Sequence, residues 1–179
     1  MAGQVEAEVP PSAARSGYPL PDVEALTSRV LAGLHEASDP KAARALVVQD
    51  LHSAKAEATA GFQAAFLQAP RQARALISAQ AALTDVLVQV TLATALHLHP
   101  LANPTEAERI AVLGVGGYGR AEMAPQSDVD LLFLTPWKIT PWAESVIETM
   151  LYMLWDLKLK VGHSSRTVKD CVRLGREDI

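Results

Sequence analysis

The chain has 179 residues, 49% of them hydrophobic and 20% charged, with a formal net charge of −4. That length accommodates one domain with a real core, or a small helical region joined to one α/β domain. No block of basic residues occurs, which argues against a general nucleic-acid-binding surface but not against a nucleotide, whose site needs only local positive charge. Residues Met1 to Pro21 hold four of the chain's 11 prolines and no sustained periodicity, which predicts a disordered leader over 1–21. It lacks the charged and apolar regions of a signal peptide.

A helical region is predicted over 22–99. Val23, Leu26, Val30, Leu31 and Leu34 form a first apolar stripe, which Ser38-Asp-Pro40 ends. Ser38 or Asp39 then caps an alanine-rich helix from about Lys41 to Leu67, with a break expected at Gly61, and Pro70 opens a third helix through about Leu98. The stretch Ala75 to Leu98 is largely apolar, but Asp85 interrupts it and leaves an uncharged run shorter than the roughly 20 residues of a membrane span. A core helix is the reading, with no membrane partner. His97 and His99 lack the i, i+4 spacing of two ligands on one helix face, which argues against zinc. Cys171 is the one cysteine, so no intrachain disulfide is possible and a reducing, cytoplasmic setting is the default.

Pro100 and Pro104 mark a junction, and an α/β segment follows over 105–179. Ile110 to Val115 reads as a buried strand, Gly116, Gly117 and Gly119 as a sharp turn, and Val129 to Leu134 as a second strand. Two aspartates open that second strand. Side chains alternate along a strand, so Asp128 and Asp130 fall on one face about 6.5 Å apart along the chain, while Val129, Leu131 and Phe133 face the other way. Two carboxylates held together call for cations, and Mg²⁺ takes one or two carboxylates and completes its shell with water and phosphate oxygens. The glycine turn lets backbone amides approach a phosphate, with Gly119 the most structural of the three. Arg120 suits a phosphate contact or a pair with Glu122, and Ser127 a backbone cap or a phosphate. Further on, Thr140 and Pro141 open a helix through Leu157, Leu159 to Ser165 reads as a third strand, and Thr167 to Asp170 forms a capping box for a last helix. His163 on that third strand is read as structural and Cys171 as a small buried side chain.

The apolar strand, Gly116-Gly-Tyr-Gly-Arg120, Ala124-Pro125 and Ser127-Asp-Val-Asp-Leu-Leu-Phe-Leu134 resemble the DNA polymerase β superfamily of nucleotidyltransferases. Within it they resemble the N-terminal domain of the bifunctional uridylyltransferase/uridylyl-removing enzymes that modify the PII nitrogen-signalling protein. Leu151 to Leu157, Lys160 to Ser164 and Arg166 to Val168 extend the resemblance, which is close from Ile110 to Ile179 and only general in character before that. Ala121 and Gln126 depart from it, since the family often has glycine there.

The resemblance implies a polymerase-β-like fold, a small mixed sheet packed with helices. It implies transfer of UMP from UTP to a tyrosine hydroxyl of PII by a two-metal mechanism, with Asp128 and Asp130 as catalytic residues and ligands of Mg²⁺ or Mn²⁺. Gly116, Gly117, Arg120 and Ser127 are the implied nucleotide contacts. The superfamily usually adds a third carboxylate from a later strand, and Leu159 to Ser165 offers none. Full-length relatives also continue into a phosphohydrolase domain and glutamine-sensing domains, so a C-terminally truncated core is expected. The alternatives are a non-catalytic fragment that binds nucleotide or a partner, and a related nucleotidyltransferase with another protein acceptor.

Overall fold

A computed structural model describes residues 17–36 and 39–177. Most of the expected leader, Ser38 and the last two residues therefore lie outside the described residues. Three long helices come first: α1 (Val23–Glu36), α2 (Pro40–Gln68) and α3 (Ala73–Leu98). Asp22 and Asp39 cap α1 and α2, their carboxylates accepting from the amides of Ala25 at 2.7 Å and Ala42 at 2.9 Å. No break occurs at Gly61. Ala58 and Phe62 on either side of it are buried, and that packing outweighs the roughly 1 kcal/mol that a glycine costs a helix interior. Tyr18 and Leu20 pack on the same cluster, Tyr18 edge-on to Phe62 at 5.9 Å.

The sheet follows, from β1 (Ala111–Gly114) through the helical turn α4 (Gly116–Gly119) to β2 (Val129–Thr135), α5 (Pro141–Asp156), β3 (Val161–Thr167) and α6 (Val168–Glu177). The order is β1-β2-β3, with β1 antiparallel and β3 parallel to the central β2. This is the small mixed sheet packed with helices that was expected. Thr140 caps α5 by accepting from Ala143 N at 3.2 Å, with Pro141 in the first turn. The capping box before α6 also forms: Thr167 N and Oγ1 donate to Asp170 Oδ2 at 3.1 and 2.6 Å, and Asp170 N donates to Thr167 Oγ1 at 3.1 Å. Those bonds hold the Asp170 carboxyl below its usual range.

Two strand expectations need correction. The third strand starts at Val161 rather than Leu159, because Leu159 still belongs to the end of α5. Its amide donates to Leu154 O at 3.2 Å and Lys158 N donates to Trp155 O at 2.9 Å, with Lys158 left-handed at φ 59°, a Schellman ending on a non-glycine residue. The first strand is shorter than expected and mostly exposed, since β1 lies at the sheet edge and Leu113 is 40% exposed.

One core joins the helices to the sheet. Leu26 and Val30 of α1, Val47 and Leu51 of α2, Val86, Leu87 and Val90 of α3, Leu131 and Phe133 of β2, and Met150 and Leu154 of α5 form a single buried cluster. At ~25 cal/mol per Å², each such side chain contributes about 1.5–3 kcal/mol on burial. Pro70–Leu98 is long and apolar enough to cross a membrane, yet 56% of its apolar window is buried inside the protein, which accounts for its composition. Lys55 of α2 reaches α5, donating Nζ–H to Leu157 O at 2.8 Å, and burial lowers its pKa.

Candidate functional site

Burial alternates along β2: Val129, Leu131, Phe133 and Thr135 are buried, and Asp130, Leu132 and Leu134 are half-exposed. Cross-strand partners share a face, so Leu113 of β1, Leu132 of β2 and Ser164 of β3 stand on the same side as Asp130, away from the helices. That side is the open face of the sheet. Asp128 precedes the strand rather than opening it and is exposed, whereas Asp130 is the second residue of β2.

Asp130 lies in a slot between two glycines. A Cβ on Gly116 would stand 2.8 Å from Oδ2, and one on Gly162 would stand 2.6 Å from Oδ1. Val115 N donates to Asp130 O at 3.0 Å and fixes the start of the turn beside the carboxylate. Gly116 is left-handed at φ 59°, while Gly117 is not, so among the turn glycines the positive-φ requirement falls on Gly116. A Cβ on Gly117 would meet Glu122 O at 3.2 Å, and one on Gly119 would meet Gly114 O at 2.5 Å, which makes Gly119 structural as expected.

The other candidates surround this slot. Arg120 pairs with Glu122 at 3.1 Å, both side chains being exposed. Ser127 is half-buried and its amide donates to Ala124 O at 3.1 Å. His163 packs edge-on between Phe133 at 6.5 Å and Trp155 at 6.3 Å. Cys171 is only half-buried. His97 packs on His35 at 5.5 Å, and His99 Nε2 is 2.8 Å from Thr149 Oγ1. Among the described residues no group of three or more His, Cys, Asp or Glu side chains is placed to hold a metal ion. A cleft of about 430 Å³ opens between the Pro19–Asp22 segment and helices α1 and α2, and none of the candidate residues lines it.

A bifunctional uridylyltransferase/uridylyl-removing enzyme of Cereibacter sphaeroides is 70% identical over 161 residues, covering 88% of this chain and 17% of that protein. The same name belongs to a Ruegeria pomeroyi protein, 57% identical over 158 residues (88% of this chain, 17% of the relative), and to one of Erythrobacter litoralis, 50% identical over 138 residues (76% and 15%). Over most of its length this chain is similar to bifunctional uridylyltransferase/uridylyl-removing enzymes. It spans about 17% of the length of the first two relatives, and because the match covers 88% of this chain it takes in most of the helical region and most of the stretch from Ile110 onward. No family model matches the chain, and no solved structure matches it. The relatives are transferases by name, which supports a nucleotidyltransferase-family role for this stretch.

At the two positions where the resemblance implies glycine, the backbone is of the kind that favours it. Ala121 has φ 55° and Gln126 φ 68°, both left-handed. A left-handed L-residue costs about 1–2 kcal/mol, part of which a glycine returns through its freer unfolded chain. Gln126→Gly is therefore expected to stabilise the fold by about 0.5–1 kcal/mol, measured by urea unfolding. A loss of stability would show that Gln126 has a compensating contact.

Three residues of this chain are not singled out by sequence as part of the site. Gly162 forms one wall of the Asp130 slot, and its signal was a glycine inside a strand, which often marks a close approach. Tyr118 is buried and donates its hydroxyl to Asp85 Oδ1 at 2.7 Å. Burial, then the Asp85 charge and hydrogen bond, push the Tyr118 pKa far up, so the phenol stays protonated. Asp85 was visible only as an interruption in an apolar run.

Proposed function

We propose that this chain carries the nucleotidyl-transfer site of a cytoplasmic uridylyltransferase with a polymerase-β-like fold, and that it moves UMP from UTP to a tyrosine hydroxyl of a PII protein. The observation that supports this most is the slot around Asp130, where two glycines leave a carboxylate uncovered on the open face of the sheet. The donor set fits Mg²⁺ or Mn²⁺, with Asp130 in the slot and exposed Asp128 as the two oxygen donors. When bound, the ion neutralises the triphosphate and lowers the pKa of the attacking hydroxyl. In the reaction the tyrosine oxygen bonds to the α-phosphorus, the α–β bridge breaks, pyrophosphate departs and the phenolic proton is released.

The chain's own residues orient the nucleotide. Gly116 and Gly117 bring backbone close to the phosphates without a Cβ between them. Arg120 is available to phosphate because its exposed pair with Glu122 is of the kind worth about 0–1 kcal/mol. Ser127 closes the turn that delivers Asp128. PII and UTP come from the family resemblance, and no residue here distinguishes uracil from another base.

A specific observation favours a second reading, a segment that binds nucleotide without turnover: no third carboxylate joins Asp128 and Asp130 among the described residues. Incubation with labelled UTP, Mg²⁺ and a PII protein decides between them. Label on a PII tyrosine, lost in Asp128→Asn/Asp130→Asn, is the expected result, at a rate well below that of a longer chain that supplies further ligands. Binding of Mg–UTP with no label would favour the second reading, and label on a different acceptor would change the substrate.

A further inference from the structure

The turn α4 has almost no side chains with which to hold its place. Of Gly116, Gly117, Tyr118 and Gly119, only Tyr118 has one, and it is 7% exposed. Its ring lies against Gly114, where a Cβ would stand 3.0 Å from two ring carbons, so the last residue of β1 leaves the space the ring occupies. Its hydroxyl crosses to α3 and donates to Asp85, which is half-buried between the buried residues Thr84 and Val86. A buried hydroxyl without a partner is costly, so this bond is kept in the free protein. Backbone bonds from Gly119 N to Val115 O at 2.9 Å and from Val115 N to Asp130 O at 3.0 Å set the path of the turn. Through Tyr118 the turn is also tied to the helical region.

We propose that Asp85 and Tyr118 are positioning residues for the nucleotide site, their hydrogen bond holding the turn so that Gly116 stays beside the Asp130 carboxylate. The proposal rests on the reading of the site given above, and it makes α3 a working part of that site. A turn of three glycines loses much conformational freedom when it is fixed. If Tyr118 fixes it beforehand, a ligand does not have to, and affinity rises by that saving. Tyr118 is too buried to meet a ligand itself, so it acts through the turn.

Tyr118→Phe keeps the ring and removes the donor. Titration calorimetry of Mg–UTP into the chain, at a temperature where circular dichroism shows each variant fully folded, is expected to give about tenfold weaker binding, the scale of a lost hydrogen bond to a charged acceptor. Asp85→Asn still accepts from the hydroxyl and is expected to stay within about threefold of the unaltered chain, whereas Asp85→Ala should match Tyr118→Phe. A purely structural bond would lower melting temperatures yet leave the affinity of the folded variants unchanged, and that result overturns the inference. Should Tyr118→Phe not fold, Asp85→Asn against Asp85→Ala decides by the same measurement. An unaltered chain that fails to bind Mg–UTP would overturn the reading of the site and this inference together; binding that Tyr118→Phe leaves unchanged would overturn the inference alone.

Discussion

Mg²⁺ with UTP is expected to raise the melting temperature of this chain by about 5–10 °C at a nucleotide concentration 100 times Kd, and Asp128→Asn/Asp130→Asn is expected to abolish the rise. A ligand that binds only the native state stabilises it by about 2.7 kcal/mol at that concentration, and a chain of this size gains roughly 2–4 °C per kcal/mol. Asparagine keeps the shape of aspartate and removes the charge, so the variant tests ligation rather than packing. Asp128 is exposed and Asp130 half-exposed, and neither belongs to the buried cluster, so without ligand the variant should melt close to the unaltered chain. An equal rise in both proteins would place the metal–nucleotide elsewhere. No rise in the unaltered chain would remove the metal assignment.

Local signals carried much of this fold. Thr140-Pro141 and Thr167 to Asp170 announce their helices because a cap is made within four residues of itself. The alternation of β2 was readable because one face meets the core and the other does not. What failed depended on partners distant in sequence. The start of β3 is set by pairing Val129 with Val161, and the α5 ending uses a left-handed lysine where the usual glycine would have marked the stop. Gly61 reads as a break in isolation, and only the burial of Ala58 and Phe62 against α3 and the segment of Tyr18 and Leu20 shows why α2 runs through it. In the site, Gly116 and Asp130 were linked by motif, but the Tyr118–Asp85 bond spans 33 positions and leaves no pattern in a single sequence. The second wall of the slot, Gly162, reaches Asp130 only through the parallel pairing of β2 with β3.

That second wall gives the sharper prediction. A methyl group at Gly162 would stand 2.6 Å from Asp130 Oδ1, far inside van der Waals contact, and the atom it meets is the end of a short side chain rather than backbone. The carboxylate must therefore turn away from Gly162 and leave the position it holds between the two glycines. Gly162 is not in the left-handed region, so alanine fits its backbone, and removing a glycine from a strand interior returns roughly 0.5–1 kcal/mol. Gly162→Ala is thus expected to keep or slightly raise the melting temperature while weakening Mg–UTP binding tenfold or more, on the order of 1.4 kcal/mol or above, measured by the Mg–UTP-dependent melting shift. Gly116→Ala, strained at φ 59° as well as crowded, is expected to lose both stability and binding. If Gly162→Ala bound Mg–UTP as well as the unaltered chain, Asp130 would not need its slot, and the glycine would serve only the strand.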